Sequence, residues 1–121
     1  MPFRLKDKTE RFKLPGYPGV PNVFFGLNNG YARDRTDQCA GPIVGAWFRM
    51  EKGPESTPPK YEYDEFGIAV EGEFNFRDET GQTATVKLGD VFFFPRGSTI
   101  TFSSDSYGLA VKCRYQPFAK L

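Results

Sequence analysis

The chain has 121 residues and a mass of 13.7 kDa, which suits one domain with one hydrophobic core. Its 16 basic and 15 acidic residues leave a net charge of +1, which argues against nucleic-acid binding, and no apolar run approaches the ~20 residues of a membrane span. The absence of histidine removes Ser-His-Asp and Cys-His nucleophile systems and nearly all zinc and iron sites.

Residues 1–22 are predicted to form an irregular arm, because their prolines and glycines forbid a continuous helix or central strand, apart from one helical turn near residues 4–12. From residue 23 to residue 121, short apolar runs alternate with turn signals, which is typical of an all-β sandwich or barrel. The predicted strands are Val23–Leu27, Ile43–Glu51, Tyr61–Glu71, Glu73–Arg77, Thr83–Leu88, Val91–Phe94, Thr99–Phe102 and Gly108–Tyr115.

The strand that begins at Tyr61 has two readable faces. Side chains alternate along a strand, so Tyr61, Tyr63 and Glu65 share one face with the small residues that follow at positions 67 and 69. Small residues that point inward leave space, so this face is predicted to border a ligand cavity. The opposite face carries Phe66, Ile68 and Val70, and an apolar outer face indicates a homodimer interface.

Two segments resemble the two sequence motifs of the cupin superfamily. Residues 63–73 resemble the end of the first motif, and residues 89–100 resemble the second, with Gly89, Pro95 and Gly97 at the required positions. The sequence of these two segments is most similar to the cupin branch of the ethanolamine-utilisation protein. The resemblance implies a small RmlC-like jelly-roll β-barrel, often dimeric, and leaves the function open because cupins host many activities.

The chain departs from the cupin pattern at the metal ligands. The two histidines of the first motif fall on Pro59 and Tyr61, or on Pro58 and Lys60 in the longer spacing, and the histidine of the second motif falls on Ile100. Of the four metal ligands of the family, only the carboxylate is present in this chain, as Glu65. One carboxylate without an imidazole does not hold iron, manganese or zinc tightly, so we expect no metal and no cofactor.

Three residues are the candidate catalytic groups. Glu65 points inward with Tyr61 and Tyr63, and a carboxyl group removed from water can act as an acid or a base near neutral pH. The tyrosines can donate hydrogen bonds to a developing oxyanion or stack on a flat substrate. The structural alternatives are a glutamate paired with an inward arginine and two rings that fill the barrel.

The candidate substrate-binding residues come from two other strands. Trp47, Arg49 and Glu51 share a face that contributes to the cavity if it points inward and is a charged surface ladder if it points outward. Ile100 and Phe102 are the predicted inward residues of the strand after Pro95. On the last strand, the alternation of Leu109, Val111, Cys113 and Tyr115 reads as core, which predicts that Lys112 and Arg114 lie at the surface or an interface.

A polar stretch with Asn28, Asn29, Tyr31, Arg33 and Asp34 forms either a lid or a solvated turn. Two cysteines, Cys39 and Cys113, are too few for a disulfide framework and favour a cytoplasmic protein with plain thiols. We interpret the chain as a metal-independent lyase or isomerase that performs acid–base chemistry on a small apolar or aromatic substrate inside the barrel. The alternative is a non-catalytic binding or assembly cupin of the ethanolamine-utilisation type.

Overall fold

The computed structural model describes Leu5, residues 7–27 and residues 43–115. These residues form a short 3-10 helix and seven strands, which confirms the all-β prediction. The predicted polar stretch at residues 28–34 and Cys39 lie outside the described residues. The elements are the 3-10 helix Lys8–Lys13 and the strands β1 Val23–Leu27, β2 Ile43–Glu51, β3 Glu65–Arg77, β4 Thr83–Lys87, β5 Val91–Phe94, β6 Thr101–Ser103 and β7 Tyr107–Tyr115.

Strand β3 belongs to both antiparallel sheets of the barrel. Its first half pairs with β5 and β7, and its second half pairs with β4 and β6, while β7 continues through β2 to β1. The sequence predicts two strands here, but the structure shows one strand with a register shift between Ala69 and Glu71. Gly72 follows with a φ of 63°, and a Cβ there would lie 2.1 Å from the carbonyl oxygen of Tyr107. The glycine therefore lets β3 bend from one sheet into the other while its pairing with β7 continues beyond the register shift.

Aromatic rings fill most of the barrel interior. Neighbouring rings lie 5.0–5.8 Å apart between centroids, mostly tilted or edge to face, and the group comprises Phe48, Tyr61, Phe74, Phe76, Phe92, Phe94 and Phe102. A Cβ on Gly67 would lie 2.5 Å from the ring of Phe92. The space that the small residues of β3 leave is thus occupied by a ring, and the cavity lies closer to Tyr61 and Tyr63.

The inward faces of β2 and β7 follow from their burial patterns. Strand β2 buries every second residue, including Phe48 and Met50, so the alternate residues lie on its outer side. On β7 the side chains of Lys112 and Arg114 point inward, which corrects the prediction that they lie at the surface or an interface. The physical reason is electrostatic, because β7 pairs Arg114 opposite the buried carboxylate of Glu65.

The described part of the N-terminal arm lies against the barrel. The amide of Phe25 donates a 3.1 Å hydrogen bond to the carbonyl oxygen of Pro15, and the side-chain amide of Asn22 donates to the carbonyl oxygen of Glu51 at 2.9 Å. Arg11 forms an ion pair with Glu71 of β3. The arm thereby seals the edge of β1 and covers part of the outer face. Among the described residues, no helix has the length and apolar character needed to cross a membrane.

Candidate functional site

A cavity of about 230 Å³ lies inside the barrel beside β3 and β7. The described residues that border it include aliphatic and aromatic side chains, three tyrosines and three charged residues. The tyrosines are Tyr17, Tyr61 and Tyr63, and the charged residues are Glu65, Lys112 and Arg114. Tyr17 remains 46% exposed, so the side of the cavity that it borders faces solvent.

A larger groove of about 580 Å³ lies on the outer face, between the 3-10 helix and β2, β3 and β7. Its carboxylates are matched to arginines, in the ion pairs Arg11–Glu71 and Arg49–Glu51. These groups are half-buried, and their charges are satisfied within each pair. The interior cavity is the better candidate site despite its smaller volume, because its charged groups are buried and line the cavity wall.

The charged cluster of the cavity is built around Glu65, whose side chain is 2% exposed. The Nζ atom of Lys112 lies 3.4 Å from one carboxylate oxygen, Oε1, and a guanidinium nitrogen of Arg114 lies 3.9 Å from the other, Oε2. Oε1 has no hydrogen-bond donor among the described residues, so its contact with Lys112 is an ion pair only. A buried acceptor oxygen of this kind is costly to leave without a donor, which makes it a position for a ligand hydroxyl or water.

Lys112 is held between aromatic rings. Its Nζ atom lies 4.1 Å from the ring centroid of Phe48 and 4.8 Å from that of Phe102, within the range of cation–π contacts. Burial lowers the pKa of Lys112, the Glu65 carboxylate opposes this change, and the nearby charge of Arg114 adds to the lowering. The amine is therefore easier to deprotonate than an exposed lysine amine.

The two inward tyrosines form one side of the cavity. The rings of Tyr61 and Tyr63 stack with centroids 5.7 Å apart, and the guanidinium carbon of Arg114 lies 5.1 Å from the centroid of Tyr63. Burial raises the pKa of Tyr61 well above its ordinary value, and the Glu65 carboxylate raises it further. Burial also raises the pKa of Tyr63, against the opposing effect of Arg114. Both hydroxyls are therefore proton donors at neutral pH.

The structure brings the three candidate catalytic residues together, because Tyr61, Tyr63 and Glu65 all border the cavity. It places the candidate substrate-binding residues elsewhere. Ile100 and Phe102 are buried in the aromatic core, where Phe102 lies behind the cavity-lining residues Phe48 and Lys112. The sequence left open whether the face of β2 with Trp47, Arg49 and Glu51 points inward or outward. In the structure this face lies on the outer side of the barrel, away from the cavity.

The sequence reasoning missed Lys112 and Arg114 as cavity residues. The apolar residue Leu109 suggested that its side of β7 faces the core. Leu109 is buried, but on the outer face of the barrel. The inward face of β7 has its own signal in the sequence. Gly108, Ala110, Lys112 and Arg114 lie two residues apart and share one face, and two small residues beside two cations suit a tight interior with a buried carboxylate.

The residues of the cavity do not fit a metal ion of the kind that the cupin resemblance implies. Glu65 is the carboxylate that remains from the ligand set, and its two oxygens already face the cations Lys112 and Arg114. A metal dication in contact with Glu65 would be repelled by both side chains. Within residues 7–27 and 43–115, no three acidic or cysteine side chains converge on a point where a metal could bind.

Comparison with known proteins identifies the family. Residues 43–109 match the EutQ-like cupin domain. The chain is 50% identical over 44 residues to the acetate kinase EutQ of Escherichia coli K12 and 45% identical over 71 residues to that of Salmonella typhimurium LT2. The two matches cover 36% and 59% of this chain and only 18% and 30% of those relatives, so the chain corresponds to a minor part of each.

A solved structure supports the same assignment at the level of the fold. The putative ethanolamine utilization protein Q of Salmonella typhimurium LT2 superposes with a TM-score of 0.70 at 24% sequence identity, over 85% of this chain and 78% of that one. The shared architecture is the jelly-roll barrel, as the sequence motifs imply. The family match extends over more than half of the chain and includes β2, β3, β4, β5 and β6. The chain therefore belongs to the EutQ-like cupin domain family.

Proposed function

We propose that this chain is a small-molecule-binding cupin that holds a small organic carboxylate inside the barrel. The observation that carries the proposal is the charge of the cavity. Among the described residues, its charged lining residues are two cations, Lys112 and Arg114, and one carboxylate, Glu65. The formal charges of these three groups sum to +1, and a ligand with a single negative charge is complementary to them in low-dielectric surroundings.

The walls of the cavity support the same ligand class. Arg114 presents a guanidinium group, and such a group can bind a carboxylate through paired hydrogen bonds. Its guanidinium carbon lies 5.7 Å from the ring centroid of Phe25. The rings of Tyr61, Tyr63 and Phe48 offer apolar contacts to the body of the ligand. A volume of about 230 Å³ is below the usual range for drug-sized ligands, so the ligand is a small metabolite-like acid.

The relatives give one specific compound to test. The matched Escherichia coli and Salmonella proteins are named as acetate kinases, and acetate is a small carboxylate of the kind that the cavity suits. The phosphoryl-transfer activity in that name belongs to proteins of which this chain matches a small part. We therefore take acetate as one member of a ligand panel. We also keep the cytoplasm as the proposed location of the protein.

Calorimetric titration with paired acids and amides tests the proposal. Acetate, lactate and benzoate are each compared with the corresponding neutral amide, and we expect the acids alone to bind. Arg114→Met should weaken acid binding by about ten- to a hundredfold, the usual worth of hydrogen bonds to a charged group. Arg77→Met is the matched control, because Arg77 forms an exposed ion pair with Glu55 on the outside of the barrel. Equal binding of acids and amides, or unchanged binding in Arg114→Met, would refute the proposal and favour the assembly role.

A second candidate function is acid–base catalysis of an isomerase or lyase type. The observation that favours it is the buried Oε1 atom of Glu65, which accepts no hydrogen bond from the described part of the chain and lies close to Lys112 and the tyrosines. In this mechanism Glu65 takes a proton from a carbon next to a carbonyl group, and Tyr61 donates a hydrogen bond to the oxygen on which charge develops.

Deuterium exchange distinguishes catalysis from binding. Each bound acid with hydrogen on the carbon next to its carboxyl group, such as acetate or lactate, is incubated with the protein in heavy water, and exchange of that hydrogen is followed by NMR. Catalysis predicts exchange that falls by about 10²–10⁴ in Glu65→Gln and by less in Tyr61→Phe and Tyr63→Phe, which keep the rings. A bound acid that keeps all of its hydrogens contradicts proton abstraction and leaves the binding function.

A further inference from the structure

Lys112 is a buried primary amine that borders a cavity, and the proposed binding function gives it no task beyond its charge. Its side chain is 7% exposed, and its Nζ atom is fixed by two rings and by Glu65. The flexible stem of a lysine is thereby held in one position beside the space that the ligand would occupy. A fixed amine next to a bound molecule is the arrangement that covalent catalysis by lysine requires.

We propose that the amine of Lys112 reacts reversibly with the carbonyl carbon of a small oxo acid to form an imine inside the barrel. This inference rests on the proposed carboxylate-binding function, because Arg114 is the group that would hold the acid. Lys112 and Arg114 are alternate residues of β7, so their backbones are about 6–7 Å apart and both side chains enter the same cavity. An acid bound at Arg114 would place its carbonyl group within reach of Lys112.

The neighbouring carboxylate completes the chemistry. Glu65 takes a proton from the ammonium group of Lys112 as their 3.4 Å contact closes to a hydrogen bond, and the free amine attacks the carbonyl carbon. The carbonyl π bond opens, and a proton moves from the nitrogen to the oxygen. The resulting carbinolamine then forms the carbon–nitrogen double bond as the hydroxyl group leaves. Glu65 returns its proton to the leaving hydroxyl, which departs as water. In total, an ammonium group and a ketone give a protonated imine and one water, and Glu65 is regenerated.

The charged groups around Lys112 favour this reaction. Burial and Arg114 lower the pKa of Lys112, while Glu65 raises it, and the net lowering increases the fraction of free amine. The rings of Phe48 and Phe102 exclude water from one side of the amine. The exposed lysines of the described surface, such as Lys52 and Lys87, have no comparable enclosure.

Reductive trapping tests the inference. The protein is incubated with pyruvate and cyanoborohydride, and the modified lysines are identified by peptide mass spectrometry. We expect Lys112 to be modified at least about tenfold faster than Lys52, because binding holds the two reactants together. Lactate, which has no carbonyl group, should bind without an adduct and protect Lys112 from pyruvate. Lys112→Arg keeps the charge and should lose the adduct.

The outcomes separate this inference from the function on which it rests. If lactate and pyruvate bind and Lys112 is no more reactive than Lys52, the imine is refuted and carboxylate binding stands. If acetaldehyde and pyruvate modify Lys112 equally fast and lactate does not bind, the amine is the nucleophile and carboxylate binding is refuted. If neither acid binds and only surface lysines react, both are refuted. The protection experiment uses the unaltered protein, so it decides the matter even if the Lys112 variants fail to fold.

Discussion

The ion pair between Glu65 and Lys112 can be tested by replacing each residue alone and both together. At 3.4 Å the attraction between the two charges is worth about 5 kcal/mol at an effective dielectric constant of about 20, and this is offset by the cost of burying both. Glu65→Gln removes the attraction but leaves the ammonium group buried. We therefore expect it to lower the free energy of unfolding by about 3–5 kcal/mol at neutral pH.

Loss of the proton from Lys112 sets a ceiling on that cost. Releasing a proton from a lysine of ordinary pKa at neutral pH costs about 5 kcal/mol, so the Glu65→Gln protein cannot lose much more than this through the uncompensated charge. Lys112→Met leaves Glu65 with Arg114 at 3.9 Å and should cost about 1–3 kcal/mol. In the Glu65→Gln protein the same substitution removes the uncompensated ammonium and should restore about 2 kcal/mol.

Urea unfolding of the four proteins measures these differences, and the pH dependence provides a second check. Without Glu65, Lys112 releases its proton in the folded state, whereas the unfolded chain keeps it up to a pKa of about 10.4. The stability of Glu65→Gln should therefore rise with pH relative to the parent, by up to about 1.4 kcal/mol per pH unit, and the double variant should lack this rise. If Lys112→Met costs the same in both backgrounds within about 0.5 kcal/mol, the two groups do not interact and the reasoning is refuted.

Three further predictions concern the tyrosines, metal content and association. In the parent, the buried hydroxyl of Tyr61 keeps a proton above pH 10 that the unfolded chain releases, so the free energy of unfolding falls as the pH rises. In urea unfolding, Tyr61→Phe should lack this fall and lose about 1.4 kcal/mol less per pH unit than the parent. Tyr107→Phe is the control, because the ring of Tyr107 is more exposed. Elemental analysis should find no stoichiometric iron, manganese or zinc, and about one metal per chain would contradict the metal-independent site. Light scattering should report a homodimer that Phe66→Glu dissociates, because Phe66 and Phe93 pair on an exposed apolar face, and a monomeric parent would contradict this.

Much of the fold could be predicted from the sequence because the strand signals are local. Turn residues and period-two alternation give the bounds of β1, β2 and β5 as the structure has them. The continuity of β3 could not be predicted, because Gly72 looks like the end of a strand in sequence. Its positive φ and its close approach to Tyr107 are properties of the pairing with β7, which no local pattern encodes.

The candidate site was predicted in part, for a related reason. Tyr61, Tyr63 and Glu65 could be placed on one inward face because they precede small residues in a clear alternation. The phase of β7 could not, since both of its faces contain buried residues: Leu109 is buried by the outer groove, and Lys112 by the barrel. Hydrophobic patterning assumes an apolar interior, and it fails where a buried charge serves as the partner of another.

The same charges explain how a cupin barrel can keep a polar interior without the family's histidines. The positions that the resemblance assigns to metal ligands include Tyr61 and Ile100, and both are buried. Glu65 keeps its carboxylate and faces the ammonium group of Lys112, so the positive charge opposite it is supplied by the chain itself. A lysine can donate hydrogen bonds, release a proton or attack a carbonyl carbon, whereas it offers no open coordination position. The chemistry expected of this barrel is therefore that of anions and carbonyl groups, and it depends on Lys112 and Arg114 as much as on Glu65.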